Sequence, residues 1–314
     1  MQIVIVADAG PDVGLGHIGR CTGIAQGLVA VTKSRPVFYL KDRVATAWIE
    51  KHGFRTISKL PDQVPLMIAD SYRASLSTWS DYRRRAKRLL VIDDFGAVKT
   101  SPDWILNSSP FAHRYPYQKI PAHGLMLGPL FHPLRTEFWP AQSRTRIGKR
   151  VRNVLIVLGG GNHEGPLASL VECVGETLPE ANVHVIVGPY TKLDAQSPRL
   201  IVHRSPPDMR AVIEQCDVAI SAAGQTLFEL AACGIPTLAI QIVENQEPNF
   251  TGFRDLGGMV AVGSIKTRNL ASTLKSALQK VAGDAAFRKG LADAARRLVD
   301  GNGALRIAHA IGTL

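Results

Sequence analysis

The sequence predicts an α/β protein made of two Rossmann-like domains facing a cleft. Three observations lead to that class. Short apolar runs rich in β-branched residues alternate with helical patterns, as βαβ units and a parallel sheet require. The order strand, glycine-rich loop, helix occurs twice, starting at Ile3 and again at Val154. The 314 residues suit two domains of ordinary size.

Ile3-Val-Ile-Val-Ala7 is the first predicted strand, apolar throughout as a strand covered on both faces must be. A glycine-rich loop, 10–19, follows, and then a helix over 21–31. Strands are expected at 37–40, 66–69 and 89–93, with helices at 45–52 and 76–87 between them. The second domain opens on a strand at 154–158, the loop Gly159-Gly160-Gly161-Asn162 and a helix from about Pro166. Its further strands are expected at 183–187, 200–203, 218–221 and 237–240, and its helices at 208–215 and 227–233. The stretch 128–151 holds Pro129, Pro133, Pro140 and Gly148 among several arginines and reads as the linker. Residues 267–314 read as two or three helices broken at Gly283 and Gly301. The expected domains are therefore 1–145 and 150–300, with a last helix, 302–314, free to pack back on the first.

Composition narrows the function classes. With 46% hydrophobic and 20% charged residues the chain is globular, not disordered. No apolar stretch approaches eighteen residues, so no spanning helix is expected. The start lacks a basic n-region and a cleavage site, so no signal peptide is expected. Cys21, Cys173, Cys216 and Cys233 are far apart, without a CxxC pair. That disfavours a disulfide framework or a zinc site and suits a cytoplasmic location. The net charge is +11, and residues 1–150 hold 22 of the 37 Lys and Arg against 11 of the 26 Asp and Glu. The densest run is Arg83-Arg84-Arg85-Ala-Lys87-Arg88. A basic half suits an acidic substrate or peripheral contact with an anionic membrane, and a solvated helix face is the plainer explanation. No aromatic interleaving or nucleic-acid motif accompanies the runs, so no nucleic-acid partner is expected.

Ligands of open α/β sheets bind outside the carboxyl ends of the strands, so the loops there carry the chemistry. Gly14-Leu-Gly16-His17-Ile-Gly19-Arg20 matches GxGxxG in form. The dinucleotide fingerprint needs its first glycine directly after the strand, and here Asp8 to Val13 intervene, so a nicotinamide cofactor is not expected. His17 sits where a helix begins. The helix dipole disfavours imidazolium there, and a neutral histidine can accept a proton; one that only closes the loop is the alternative. Ser221-Ala-Ala-Gly224-Gln225-Thr226 offers small residues before a helix, a place where backbone N–H groups can hold a diphosphate. Glu229 then either complements the helix dipole or accepts ribose hydroxyls. Glu244-Asn245-Gln246 ends a strand and either lines a cleft or forms a surface turn. The 159–162 loop suits a tight turn or a phosphate cradle. Asp70-Ser71-Tyr72 and Asp93-Asp94 also end strands. Adjacent carboxylates in extended chain point apart, so no metal pair is expected.

In combination these residues resemble a known family. Gly14-Leu-Gly16-His17-Ile-Gly19-Arg20-Cys21 is similar to the IGxGHxxRC signature of the UDP-sugar hydrolases of pseudaminic acid biosynthesis and of the related spore-coat polysaccharide proteins. Asp70-Ser71-Tyr72, Asp93-Asp94 and Asn107 resemble that family's spaced DxY, DD and N positions. Leu127-Gly128-Pro129 through Leu134-Arg135-Thr-Glu137-Phe138 resembles its LGPxYxxLRxEF stretch. Ser221 to Gly234 and Glu244-Asn245-Gln246 resemble its second-domain loop and polar triplet. Three positions depart from the pattern: Val6 stands where the family carries an arginine after the first strand, Asn162 where it carries aspartate, and Gly19 where it carries a larger residue before Arg20.

The resemblance implies the glycosyltransferase B fold, with UDP held mostly by the second domain. The backbone near Met209 would read the uracil, Gly224, Gln225 and Thr226 would hold the diphosphate, and Glu229 the ribose. His17, Tyr72 and Asn245 would face the sugar, with Gly14, Gly16, Arg20, Gly160 and Gln246 completing the substrate contacts. The implied reaction is hydrolysis of a UDP-linked deoxy amino sugar at the anomeric carbon, without metal or cofactor. A UDP-sugar-dependent transferase at a membrane surface and a non-catalytic nucleotide-sugar binding protein are the alternatives.

Overall fold

Seven parallel strands make the first sheet: β1 (Ile3–Ala7), β2 (Val37–Tyr39), β3 (Arg55–Ile57), β4 (Val64–Asp70), β5 (Ala86–Ile92), β6 (Trp104–Asn107) and β7 (Leu125–Leu127). Their order is β3-β2-β1-β4-β5-β6-β7. The helices α1 (Gly16–Thr32), α2 (Arg43–Lys51) and α3 (Leu76–Arg85) join them. The chain is described here by a computed structural model over residues 2–140, 147–161, 164–193 and 198–312. It divides into two units, Met1–Thr136 with Gly301–Leu314, and Glu137–Asp300.

The second unit repeats the plan with six parallel strands: β8 (Asn153–Val157), β9 (Asn182–Val187), β10 (Leu200–Arg204), β11 (Val218–Ala222), β12 (Thr237–Gln241) and β13 (Val260–Ser264). Their order is β10-β9-β8-β11-β12-β13. Its helices are α4 (Glu164–Thr177), α5 (Met209–Glu214), α6 (Thr226–Cys233), α7 (Glu247–Asp255), α8 (Leu270–Gly283) and α9 (Ala285–Leu298). The last helix, α10 (Gly303–Gly312), belongs to the first unit and lies against α1.

Central strands are buried on both faces because helices cover both. In the first unit Ile3, Ile5, Ile68 and Leu106 pack with Ile18, Ile24 and Leu28 of α1 and Ile307 of α10. Val4, Val6, Met67 and Leu89 pack with Trp79 and Tyr82 of α3 on the other face. Val154, Ile156, Val185 and Ile220 form the second core with Leu170 and Leu278. In each sheet the strand order reverses at one point, between β1 and β4 and between β8 and β11. The crevice outside the carboxyl ends there is where such sheets bind ligands.

Several elements differ from the sequence reading. α1 starts at Gly16, five residues before the expected helix, so His17 and Arg20 lie in its first turns. Four short strands, β3, β6, β7 and β13, were not legible. Each spans three to five residues, and their pairing, more than their periodicity, defines them. The basic run straddles two elements: α3 ends at Arg85 and β5 begins at Ala86. Residues 128–136, read as linker, pack into the first unit instead, with His132, Pro133 and Leu134 buried. Residues 141–146 and Asn162 lie outside the described residues.

Candidate active site

The first crevice is built from charges that sequence separates by dozens of residues. β1 leads through a tight turn, in which Gly10 O accepts the N–H groups of Val13 and Gly14, into the glycine-rich start of α1. One helical turn then sets His17 and Arg20 on the same side of α1. Both meet Asp70, the last residue of β4. His17 Nδ1 lies 2.6 Å from Asp70 Oδ1. Arg20 Nη2 donates to the same oxygen at 2.6 Å, and Nε donates to Oδ2 at 2.6 Å. Arg20 Nη1 donates to both oxygens of Asp94 at 3.0 and 2.8 Å.

Asp70 has no exposed surface. Burial alone would raise its pKa; Arg20, and after it His17, outweigh burial and hold the carboxyl well below the usual carboxylate range. It is therefore an anion at neutral pH. Nδ1 of His17 has two neighbours, Asp70 at 2.6 Å and Arg20 Nη2 at 3.4 Å. The shorter contact is to an acceptor, so Nδ1 carries the proton and donates it to Asp70. That contact turns the ring so that Nε2 points away from Asp70, with no protein partner among the described residues.

Tyr72 closes one side. Asp8 Oδ2 accepts the Ser71 hydroxyl at 2.9 Å and the N–H groups of Tyr72 and Arg73 at 2.8 and 3.1 Å, which shapes the turn after β4. The Tyr72 ring meets the His17 imidazole edge-on at 4.4 Å, and its hydroxyl donates to Asp94 Oδ2. Burial, and next the Asp94 carboxylate, push the Tyr72 phenol well above the ordinary tyrosine range. Tyr72 is thus a wall held in place, with its proton committed to Asp94.

Arg20 departs most from its expected role as a substrate contact. Its side chain is 1% exposed and its donors are spent on Asp70 and Asp94, so it fixes the carboxylates from within. Gly14 spends its N–H on Gly10, and Gly16 is the first residue of α1. The second acid of the pair, Asp93, faces another way: Oδ2 accepts from the Tyr117 hydroxyl at 2.9 Å, and that hydroxyl accepts from Asn107. Among the described residues no group of three or more His, Cys, Asp or Glu is placed to hold a metal. His132, which the sequence reading missed, is buried and 2.9 Å from the Ser108 hydroxyl. Burial, and next Arg20, hold its pKa well below the ordinary histidine value.

In the second unit the predicted loops ring the carboxyl edge at the β8–β11 reversal. The N–H groups of Gly224, Gln225 and Thr226, where α6 begins, have no acceptor among the described residues, and no side chain caps that helix. Gln225 Oε1 is buried without a hydrogen-bond partner. Gln246 donates no proton to that loop but borders it: its amide nitrogen lies about where a Cβ on Gly224 would come within 3.5 Å, while its Oε1 accepts from Ile242 N–H at 2.9 Å. Gly160 packs against Gly188, close enough that a Cβ there would come to 2.9 Å. Glu229 is in the first turn of α6, and Asn245 is exposed just after β12. Met209 starts α5 and spends its N–H on Glu137 Oε1 at 3.3 Å. The basic run is partly compensated: Arg83 and Arg88 share Asp103, Arg84 and Arg85 share Asp81, and Asp62 also meets Arg85, so the run keeps a net positive charge.

Two parallel α/β units of this plan make a glycosyltransferase B fold. Acinetobacter baumannii MurG shares it over 100% of this chain and 99% of its own, with a TM-score of 0.65 at 12% identity, a likeness of fold alone. Residues 154–300 match the glycosyltransferase family 28 C-terminal domain. The chain is 28% identical over 262 residues to a Helicobacter pylori protein named pseudaminic acid cytidylyltransferase and UDP-2,4-diacetamido-2,4,6-trideoxy-beta-L-altropyranose hydrolase, covering 82% of this chain and 47% of that protein. It is 22% identical to the Bacillus subtilis spore coat polysaccharide biosynthesis protein SpsG, covering 98% of this chain and 96% of that one. The chain thus spans about half the length of the Helicobacter relative. No helix among the described residues is long and apolar enough to cross a membrane.

Proposed function

We propose that the protein hydrolyses a UDP-linked deoxy amino sugar of the 2,4-diacetamido-2,4,6-trideoxyhexose type, in nonulosonic acid or surface-polysaccharide biosynthesis. The observation that carries this reading is the His17–Asp70 pair, which orients the imidazole and leaves Nε2 without a partner among the described residues. The name of the Helicobacter relative supplies the substrate class.

In this reading His17 Nε2 takes a proton from water as the water oxygen attacks the anomeric carbon. The bond from that carbon to the phosphate oxygen breaks, and its electron pair leaves on UDP. The imidazolium formed is stabilised by the Asp70 carboxylate, and positioned proton transfer of this kind is worth about 10²- to 10⁴-fold. The open N–H groups of Gly224, Gln225 and Thr226 take the negative charge of the departing diphosphate. Glu229 takes the ribose hydroxyls and the segment at Met209 the uracil. Tyr72, Asn245 and Gln246 contact the sugar, with Gly14, Gly16 and Gly160 shaping the loops around it. A cytoplasmic location goes with a nucleotide-sugar substrate.

The test is to incubate the protein with the UDP-linked sugar, without acceptor, and follow the anomeric protons by NMR. Free sugar and UDP are the expected products. A second reading, a transferase, is favoured by the match of 154–300 to a transferase family. Unchanged substrate in that experiment, with UDP still bound, would select it.

A further inference from the structure

Phe95 is an exposed aromatic residue on a rigid mount beside the proposed base. Its N–H, and that of Ala97, donate to Asp93 Oδ1 at 3.2 Å, and the other Asp93 oxygen is held by Tyr117. Gly96 follows at φ +68°, with the Tyr115 ring so close that a Cβ would come within 2.6 Å of it. The backbone of this turn is therefore set on both sides of Phe95. Asp94 turns inward to Arg20 and Tyr72, and Phe95 turns out against the Tyr72 ring, at 5.2 Å and 54°. Tyr72 in turn touches His17. Phe95 is 37% exposed and Tyr72 36%. Two fixed aromatic faces in water next to the proposed base call for an apolar occupant, because burying them is favourable and ordering them costs nothing further.

We propose that Phe95, with Tyr72, is the specificity-determining surface of the site, selecting sugars with methyl-bearing groups at C4 and C6 over sugars with hydroxyls there. This rests on the reading that the substrate is a UDP-sugar. A diacetamido-trideoxy sugar carries one methyl at C6 and two on its acetamido groups, so it presents apolar substituents where a common hexose presents hydroxyls. A hydroxyl pressed on the shelf loses its water without a partner.

The experiment compares kcat/KM for UDP-2,4-diacetamido-2,4,6-trideoxyhexose and UDP-N-acetylglucosamine in the wild type, Phe95→Ala and Phe95→Leu. The wild type should prefer the trideoxy sugar. Phe95→Ala should shrink that preference by about 10-fold or more, the scale that one or two apolar contacts can discriminate. Phe95→Leu should keep most of it, and thermal melts should show both variants folded. A preference unchanged in Phe95→Ala overturns the proposal while leaving the hydrolase reading intact. If the wild type turns over neither sugar, the hydrolase reading fails. The selectivity is then read from the calorimetric affinities of the same two UDP-sugars. An affinity ratio that Phe95→Ala does not reduce overturns the proposal.

Discussion

His17 Nδ1 stands 2.6 Å from Oδ1 of Asp70, a carboxylate without solvent exposure that Arg20 grips through two further bonds. In the proposed reaction this pair turns a helix-terminal histidine into an oriented base. The helix start alone disfavours an imidazolium, and the buried anion supplies what the reaction needs when the proton arrives.

Removing the base should therefore separate chemistry from binding. His17→Ala is expected to lower turnover by about 10²- to 10⁴-fold while the affinity for UDP stays within a factor of three. UDP release and calorimetric titration check the two halves. A variant as active as the wild type would sink the role of His17.

Asp70→Asn acts on the fold as well as on His17. It leaves the Arg20 guanidinium buried with Asp94 as its one remaining anion. Breaking a buried pair in this way costs about 3–5 kcal/mol. Urea unfolding at pH 7.5 measures it, and a loss below ~1 kcal/mol would contradict the account of the network.

Tyr72 holds its proton on Asp94, and its pKa lies well above the ordinary value. Tyr72→Phe should accordingly leave the shape of the pH–rate profile unchanged. It should cost about 1–2 kcal/mol of stability through the lost hydrogen bond to a charged group. The disappearance of one limb of the profile would show that the phenol does take part in proton transfer.

His132 is kept neutral in the folded protein by burial and by Arg20. The unfolded chain protonates it below pH ~6.5. Below that pH the unfolded state binds the extra proton, so stability falls as pH falls. The wild type should lose up to about 1.4 kcal/mol more per pH unit than His132→Gln between pH 6.5 and 5. Urea midpoints for both proteins at pH 7.5 and 5 give the comparison, and parallel curves would refute it.

Two glycines of α1 should respond with opposite sign. Alanine in a helix interior gains about 1 kcal/mol over glycine. A Cβ on Gly19 meets nothing within 4 Å, so Gly19→Ala should stabilise. A Cβ on Gly27 would fall 2.4 Å from the backbone oxygen of Ala304 in α10, so Gly27→Ala should cost about 1–3 kcal/mol. Thermal melts of the two variants decide it, and the same sign for both would mean that α1 and α10 are not packed this closely.

The long apolar strands and the glycine loops were legible in the sequence because burial on both faces and a sharp turn are local demands. Ile3-Val-Ile-Val-Ala7 and Val154-Leu-Ile-Val announce themselves without their neighbours. His17 stands out by its place after a glycine-rich loop, which leaves a base and a loop closure equally open. β6 and β7 did not, since four and three residues become strands only when an adjacent strand accepts their hydrogen bonds. The family resemblance also set Arg20 among the substrate contacts. Asp70 and Asp94, 50 and 74 residues away, took it inward instead. The alternation of elements and the glycine loops at the strand ends follow from local pattern alone. Which charges meet at those ends was decided by the tertiary structure, because a buried ion pair forms between residues that the sheet order, not the chain order, makes neighbours.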